Sequence, residues 1–145
     1  MAKYDDASWH FEGEFPSDLG LEHACTHIGM FLGWAIDNHL QSQLFEEEFG
    51  NLLEKFRRRE MTGTQILRAS CDDKLTDDDL NDEGNAFAME YYEKEVYFDD
   101  YDEFLGNTLP TLYHVEDTWE NYELIKEKLD ARFSKWKEKL DDDSN

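Results

Sequence analysis

Two arrangements in this chain carry the spacing of metal ligands. Asp79, Asn81, Glu83, Gly84 and Glu90 fill the places that an EF-hand loop gives to its first, third and fifth oxygen ligands, its turn glycine and its bidentate glutamate. The fit is loose. Glu83 is longer than the usual fifth ligand, Phe87 replaces a polar ninth residue, and Cys71 to Asp78 is too polar for a packed entering helix. The residues favour a helix N-terminus with Gly84 in its turn, and leave Asp79, Asn81, Glu83 and Glu90 as a weak calcium set. The second arrangement is His23 and His27, four apart on an apolar segment, from which two imidazoles on one helix can reach one zinc ion. Ala24 stands where a zinc protease places its general base, and Cys25 points to another face, about 100° of helix rotation per residue away. The sequence offers no third ligand. Two ordinary, partly exposed histidines are the preferred reading, and neither a metal nor another cofactor is expected.

Nucleophilic catalysis finds no support. There is no Gly-x-Ser-x-Gly elbow, no cysteine in a signature context and no glycine-rich phosphate loop. Carboxylate pairs abound, and for that reason none is informative: among 36 acids a sequence cannot single out two with divergent proton affinities. No catalytic residue is assigned, and a binding function is favoured over an enzymatic one.

The same abundance of acids is itself the strongest functional signal. With 36 Asp and Glu against 14 Lys and Arg, the 145 residues carry a formal net charge of −22. Such a surface repels nucleic acid and anionic membranes, which proteins bind largely through Lys and Arg, and steers basic proteins toward itself. Mean hydropathy is low at −0.84, but 39% hydrophobic and 14% aromatic residues with only two prolines supply a core. The first sixteen residues lack the basic and apolar regions of a signal peptide, no run approaches the roughly 20 apolar residues of a membrane span, and the two cysteines form no framework. A cytoplasmic protein with reduced thiols is expected, organised as one domain over 1–140 with a polar tail at 141–145.

The elements that must position any site read as helices behind an aromatic N-terminal arm. Leu21, Ala24, Ile28, Phe31, Leu32, Ala35 and Ile36 predict a largely buried helix over about 20–40, on which Gly29 and Gly33 admit a close neighbour. Phe45, Phe49, Leu52, Leu53 and Phe56 form one stripe of a second helix, with Arg57 to Arg59 placed to complement its dipole. Thr62 and Gln65 make a capping-box pattern before a short third. From 72 to 103 the chain holds 14 acids against Lys74 and Lys94, interleaved with rings; a helix is expected from about 77 or 84 to 97, then a less regular stretch to Pro110. Asp117 and Glu120 suggest a cap for a long last helix carrying Trp119, Tyr122, Ile125, Leu129, Phe133, Trp136 and Leu140. The expected fold is mainly α, a compact domain of about four or five helices with at most a short strand or hairpin. In the arm, Trp9 and Phe15 are expected to pack onto the helices, while Tyr4, Asp5 and Asp6 are open to either burial or recognition.

Four blocks in order, KYDDASWHFEGEFP, THIGMFLGWAIDN, LTDDDLNDEGNAFAMEYYE and TLYHVEDTWENYELI, resemble the bacterial family of uncharacterised proteins known as domain of unknown function 7832. The resemblance implies a bacterial origin and an intact domain, and no activity comes with it. By analogy with other small acidic bacterial proteins, the function expected is that of an immunity or antitoxin-like protein occluding a basic toxin. The candidate face is the acidic block, with Asp77, Asp78, Asp79, Asp82, Glu83, Asp99, Asp100, Asp102 and Glu103 as contacts and Tyr97, Phe98 and Tyr101 as anchors. The alternatives are a DNA mimic that blocks a nucleic-acid-binding protein, and a metal-binding module or enzyme.

Overall fold

A computed structural model describes residues 3–143. Helix accounts for 68% of the chain, and seven α-helices and one two-stranded sheet are present among the described residues. Strand β1 (Lys3–Asp6) leads into α1 (Ala7–Phe11), followed by α2 (Glu22–Asp37), α3 (Gln43–Arg57) and α4 (Gly63–Ser70). Strand β2 (Lys74–Thr76) then precedes α5 (Asp82–Tyr91), α6 (Val96–Tyr101) and α7 (Trp119–Asp143). Among the described residues, no helix is long and apolar enough to cross a membrane.

The mainly helical expectation holds, and the count of four or five is too low for a local reason. The acidic stretch does not run as one helix. It is divided into β2, a 3-10 turn at Asp77–Asp79, α5 and α6, with Glu95 in the left-handed region at φ 66° between the last two. This break lets Tyr92 and Tyr97 stack face to face inside the core, their ring centroids 5.1 Å apart. β1 and β2 pair antiparallel although some seventy residues separate them, so they form no hairpin.

Helix α2 is the axis of the fold, buried at every position from Ala24 to Ile36. Around it, Phe31 and Trp34 meet Phe87 of α5, and Trp34 also meets Phe133 of α7. Helix α4 begins with the expected capping box of Thr62 and Gln65. Helix α3 is capped by Ser42, whose hydroxyl accepts from the Phe45 amide, and its stripe buries Phe45, Leu53 and Phe56. Of the three arginines that follow, Arg59 turns back at φ 62° to lay its guanidinium over Phe56 and Trp119 and to pair with Asp37 at 3.2 Å.

Helix α7 starts one residue later than the pattern suggested. Thr118, rather than Asp117, is its cap, accepting from the Asn121 amide at 3.1 Å. The Asp117 carboxylate instead accepts from the hydroxyls of Thr62 and Thr64 at 2.7 and 2.9 Å and so ties the α4 entrance to α7. The helix runs through the first part of the expected tail to Asp143, and Ser144 and Asn145 lie outside the described residues, as do Met1 and Ala2 of the arm.

Candidate functional site

The arm does more than cover the helices. Asp6 caps α1 by accepting from the Ser8 amide, and this short helix turns His10 back toward Asp5. Strand β1 is held by β2, so Asp5 is fixed over α2 where His27 emerges. The result is a compact cluster. His10 Nε2 lies 2.6 Å from Asp5 Oδ1, His27 Nε2 lies 3.1 Å from Asp5 Oδ2, and the two Nε2 atoms are 3.3 Å apart. Tyr92 donates its hydroxyl to Asp5 Oδ2 at 2.5 Å, and the Asp6 amide donates to Oδ1 at 2.8 Å. Tyr113 Oη lies 2.7 Å from the other nitrogen of His10, and Phe98 stacks over the same ring.

Asp5, His27 and Tyr92 are buried, whereas His10 closes the cluster on its outer side with part of its ring in solvent. Burial works to raise the Asp5 carboxyl, but hydrogen bonds from His10 and His27 outweigh it and hold the group well below the usual carboxylate range. Burial pushes His27 the other way from a charged imidazole, lowering it despite the Asp5 partner, so the ring is neutral. Burial and the facing Asp5 carboxylate push the Tyr92 hydroxyl far up, keeping it a donor. Asp5 thus accepts two hydrogen bonds on each oxygen, whereas His27 Nδ1 is buried with no partner.

The pair read from spacing on α2 does not form. His23 donates from Nδ1 to the Tyr113 carbonyl at 3.0 Å, while His27 meets residues of the arm. Both partners of His27 come instead from the arm, His10 and Asp5, 17 and 22 residues upstream. The calcium set disperses. Asn81 caps α5 by accepting from Gly84, Asp79 accepts from the Thr76 amide and hydroxyl, and Glu90 pairs with Lys94 at 2.8 Å on the outside of α5. Among the described residues, Asp5, His10 and His27 are the one group of three or more His, Cys, Asp or Glu able to converge on an ion.

The proposed contact residues separate into two sets. Asp78, Asp82, Glu83, Asp99, Asp102 and Glu103 are exposed, and Asp77, Asp79 and Phe98 are partly covered. Tyr97, Asp100 and Tyr101 are interior, so they cannot touch a partner while the fold is intact. Tyr97 donates to the His27 carbonyl, and Asp100 accepts from Tyr91 and from both arms of Arg132. The Asp100–Arg132 pair ties α6 to α7, and the Tyr97 and Tyr101 rings pack toward α2 and α5. Trp9, expected in the core, is instead 53% exposed with the Lys3 ammonium over its ring, while Phe15 is partly buried against Phe11 and Tyr113.

A second exposed feature lies on α7. Glu120, Glu123, Glu127 and Asp130 line a shallow groove on this helix together with Leu124 and Lys126. Adjoining it, Phe104, Leu124, Glu127, Lys128 and Ala131 line a second groove, where Leu124 and Phe104 are 53% and 47% exposed and the Lys128 ammonium lies 5.3 Å from the Phe104 ring centre. Neither group was singled out from the sequence, because three-residue spacing on a charged helix does not show which side the core leaves uncovered.

Fold and cluster together define a mainly helical, strongly acidic protein in which a carboxylate and two imidazoles are gathered by an N-terminal strand and helix. The chain belongs to the family described as domain of unknown function DUF7832, whose model matches residues 3–115 and so spans every residue of the cluster. No curated protein and no solved structure matches it.

Proposed function

We propose that this is an immunity or antitoxin-like protein, which binds a basic protein partner and blocks it without catalysis. The observation that carries the reading is the exposed apolar pair Phe104 and Leu124, bordered by the carboxylates of Glu120, Glu123, Glu127 and Asp130 and by the lysines Lys126 and Lys128. Glu120, Glu123 and Glu127 flank Leu124 along α7, and Asp102 and Glu103 precede Phe104 in the chain. An apolar centre with a charged rim is the anatomy of a protein interface. Carboxylates outnumber lysines on this rim, and with the net charge of −22 they select a partner rich in Lys and Arg and raise its association rate by about 10- to 1000-fold over a neutral surface at low salt. Of the acidic block, Asp99, Asp102 and Glu103 remain candidate contacts, whereas the interior Tyr97, Asp100 and Tyr101 drop out.

The test is an affinity purification of the tagged protein from its source cells at low salt, followed by binding measurements on the purified partner. One basic protein in stoichiometric amount is expected, whose association slows at least about tenfold with Glu123→Lys/Glu127→Lys and whose dissociation quickens with Leu124→Asp. Equal affinity for all variants would reject this face. Recovery of a partner that duplex DNA displaces would favour the DNA-mimic reading instead, and failure of the partner to lose activity when bound would reject inhibition.

A further inference from the structure

We infer that Asp5, His10 and His27 form a binding site for a single divalent transition ion of the zinc class, which clamps the N-terminal arm to α2. Zinc bound by imidazole and carboxylate at about 2.0–2.2 Å in a tetrahedral set separates its ligand atoms by about 3.3–3.5 Å. The 3.3 Å between the His10 and His27 Nε2 atoms matches one edge of such a set, and the 3.1 Å from His27 Nε2 to Asp5 Oδ2 falls about 0.2 Å short of another. His10 meets the other oxygen of Asp5, Oδ1, at 2.6 Å, the length of a hydrogen bond, and this contact must open for both imidazoles and the carboxylate to share one ion. His10 is the member able to give way, because its ring reaches solvent whereas Asp5 and His27 are fixed in the interior.

Without an ion, the arrangement is an awkward one for protons. Both Nε2 atoms face the same carboxylate, so each carries its hydrogen toward Asp5, and the two N–H groups stand side by side only 3.3 Å apart. An ion at the shared focus replaces both hydrogens and joins the three groups by one centre. Two imidazoles and a carboxylate suit zinc or iron(II) and discriminate against calcium and magnesium, which prefer all-oxygen shells. The surroundings support one ligand fully. With Nε2 bound to metal, His10 Nδ1–H donates to Tyr113 Oη, the outer partner that ligating histidines ordinarily have. His27 Nδ1 has no such partner, which weakens the site by about 10- to 100-fold relative to one with complete outer support.

The probe is Zn²⁺ itself. The metal-stripped protein, dialysed against excess Zn²⁺ and then buffer, is expected to retain one equivalent and to melt at a higher temperature than before. His10→Gln, checked for native circular dichroism, is expected to lose that equivalent, whereas His39→Gln at an exposed histidine and His114→Gln at a partly covered one outside the cluster keep it. Retention in His10→Gln, or loss in those two variants, would overturn the assignment, as would the absence of any stoichiometric ion in the wild type. Because Asp5→Asn and His27→Gln remove buried groups, a readout on the intact chain completes the test: Co²⁺ should give the intense visible bands of a four- or five-coordinate nitrogen and oxygen site, bleached by one equivalent of Zn²⁺. Only the weak bands of octahedral Co²⁺ would reject the site independently of any variant.

Discussion

Gly63 stands against the backbone of Gly29. A methyl group built on Gly63 would come within 2.1 Å of the Gly29 carbonyl oxygen, and one built on Gly29 would meet the Thr64 Cα at 2.3 Å. Helices α2 and α4 therefore touch main chain to main chain, with no side chain able to move aside. Gly29→Ala and Gly63→Ala are each expected to cost about 3 kcal/mol or more, at the upper end of overpacking effects because backbone must shift. Gly50 provides the contrast, since nothing lies within 4 Å of a methyl group there and it sits inside α3; Gly50→Ala should be neutral or stabilising by up to about 1 kcal/mol. Urea unfolding of the three variants measures the difference.

Arg132 holds Asp100 with two parallel hydrogen bonds, from Nε at 2.9 Å and from a terminal nitrogen at 3.0 Å, and Tyr91 donates to the same carboxylate at 2.6 Å. Arg132→Ala leaves a buried charge with one donor. Its expected cost is about 2–3 kcal/mol, less than for a wholly buried pair because the arginine is partly solvated. Arg132→Lys should recover only part of it, since an ammonium cannot reproduce the fork. Thermal melts at neutral pH distinguish the three proteins. Charge reversal at Asp100 is accordingly expected to unfold the chain, whereas reversal at exposed Asp102 is not.

The helices with long apolar stripes were legible because their spacing and caps agree, as at Thr62–Gln65 and along Phe45 to Phe56. Gly29 was also readable as a place of close approach. The acidic stretch was not, since its rings are spread over α5, α6 and the link between them, and the break at Glu95 that lets Tyr92 stack on Tyr97 falls at no local breaker residue. The cluster was legible only in pieces. Asp5 and His10, His27, Tyr92 and Tyr113 lie one or two to each of the four blocks KYDDASWHFEGEFP, THIGMFLGWAIDN, LTDDDLNDEGNAFAMEYYE and TLYHVEDTWENYELI, but what joins them is the pairing of β1 with β2, a long-range contact that no helical period encodes.

Asp79 presents the opposite electrostatic case from a salt-bridged acid. Burial raises its carboxyl, and hydrogen bonds from the Thr76 amide and hydroxyl offset only part of that effect. The folded chain therefore holds this proton more tightly than the unfolded chain does. Its ionised form costs stability at neutral pH, and that cost disappears as pH falls through the raised value. Asp79→Asn keeps an oxygen acceptor for Thr76 and removes the charge. It is expected to be at least as stable as the wild type at pH 7.5, with the advantage shrinking toward pH 4, as read from denaturant midpoints at the two pH values. Lower stability at pH 7.5 would mean that the charge itself is needed by the turn.

The same carboxylate bears on the cysteines. Both are free, and burial pushes each thiol up to about 12, with Asp73 adding to the effect on Cys25 and Asp79 to that on Cys71. At pH 8 such a thiol is about 10⁻⁴ ionised, against roughly a quarter of an ordinary cysteine, so reaction through the thiolate should slow by about a thousandfold. Ellman's reagent is expected to leave the native chain almost unmodified over minutes and to label two thiols in urea. Cys71, which is only partly covered, should react before Cys25 on longer exposure. Asp79→Asn removes a negative charge beside Cys71 and should quicken that thiol alone. If both cysteines sped up together, local opening of the fold rather than thiol ionisation would be setting the rate.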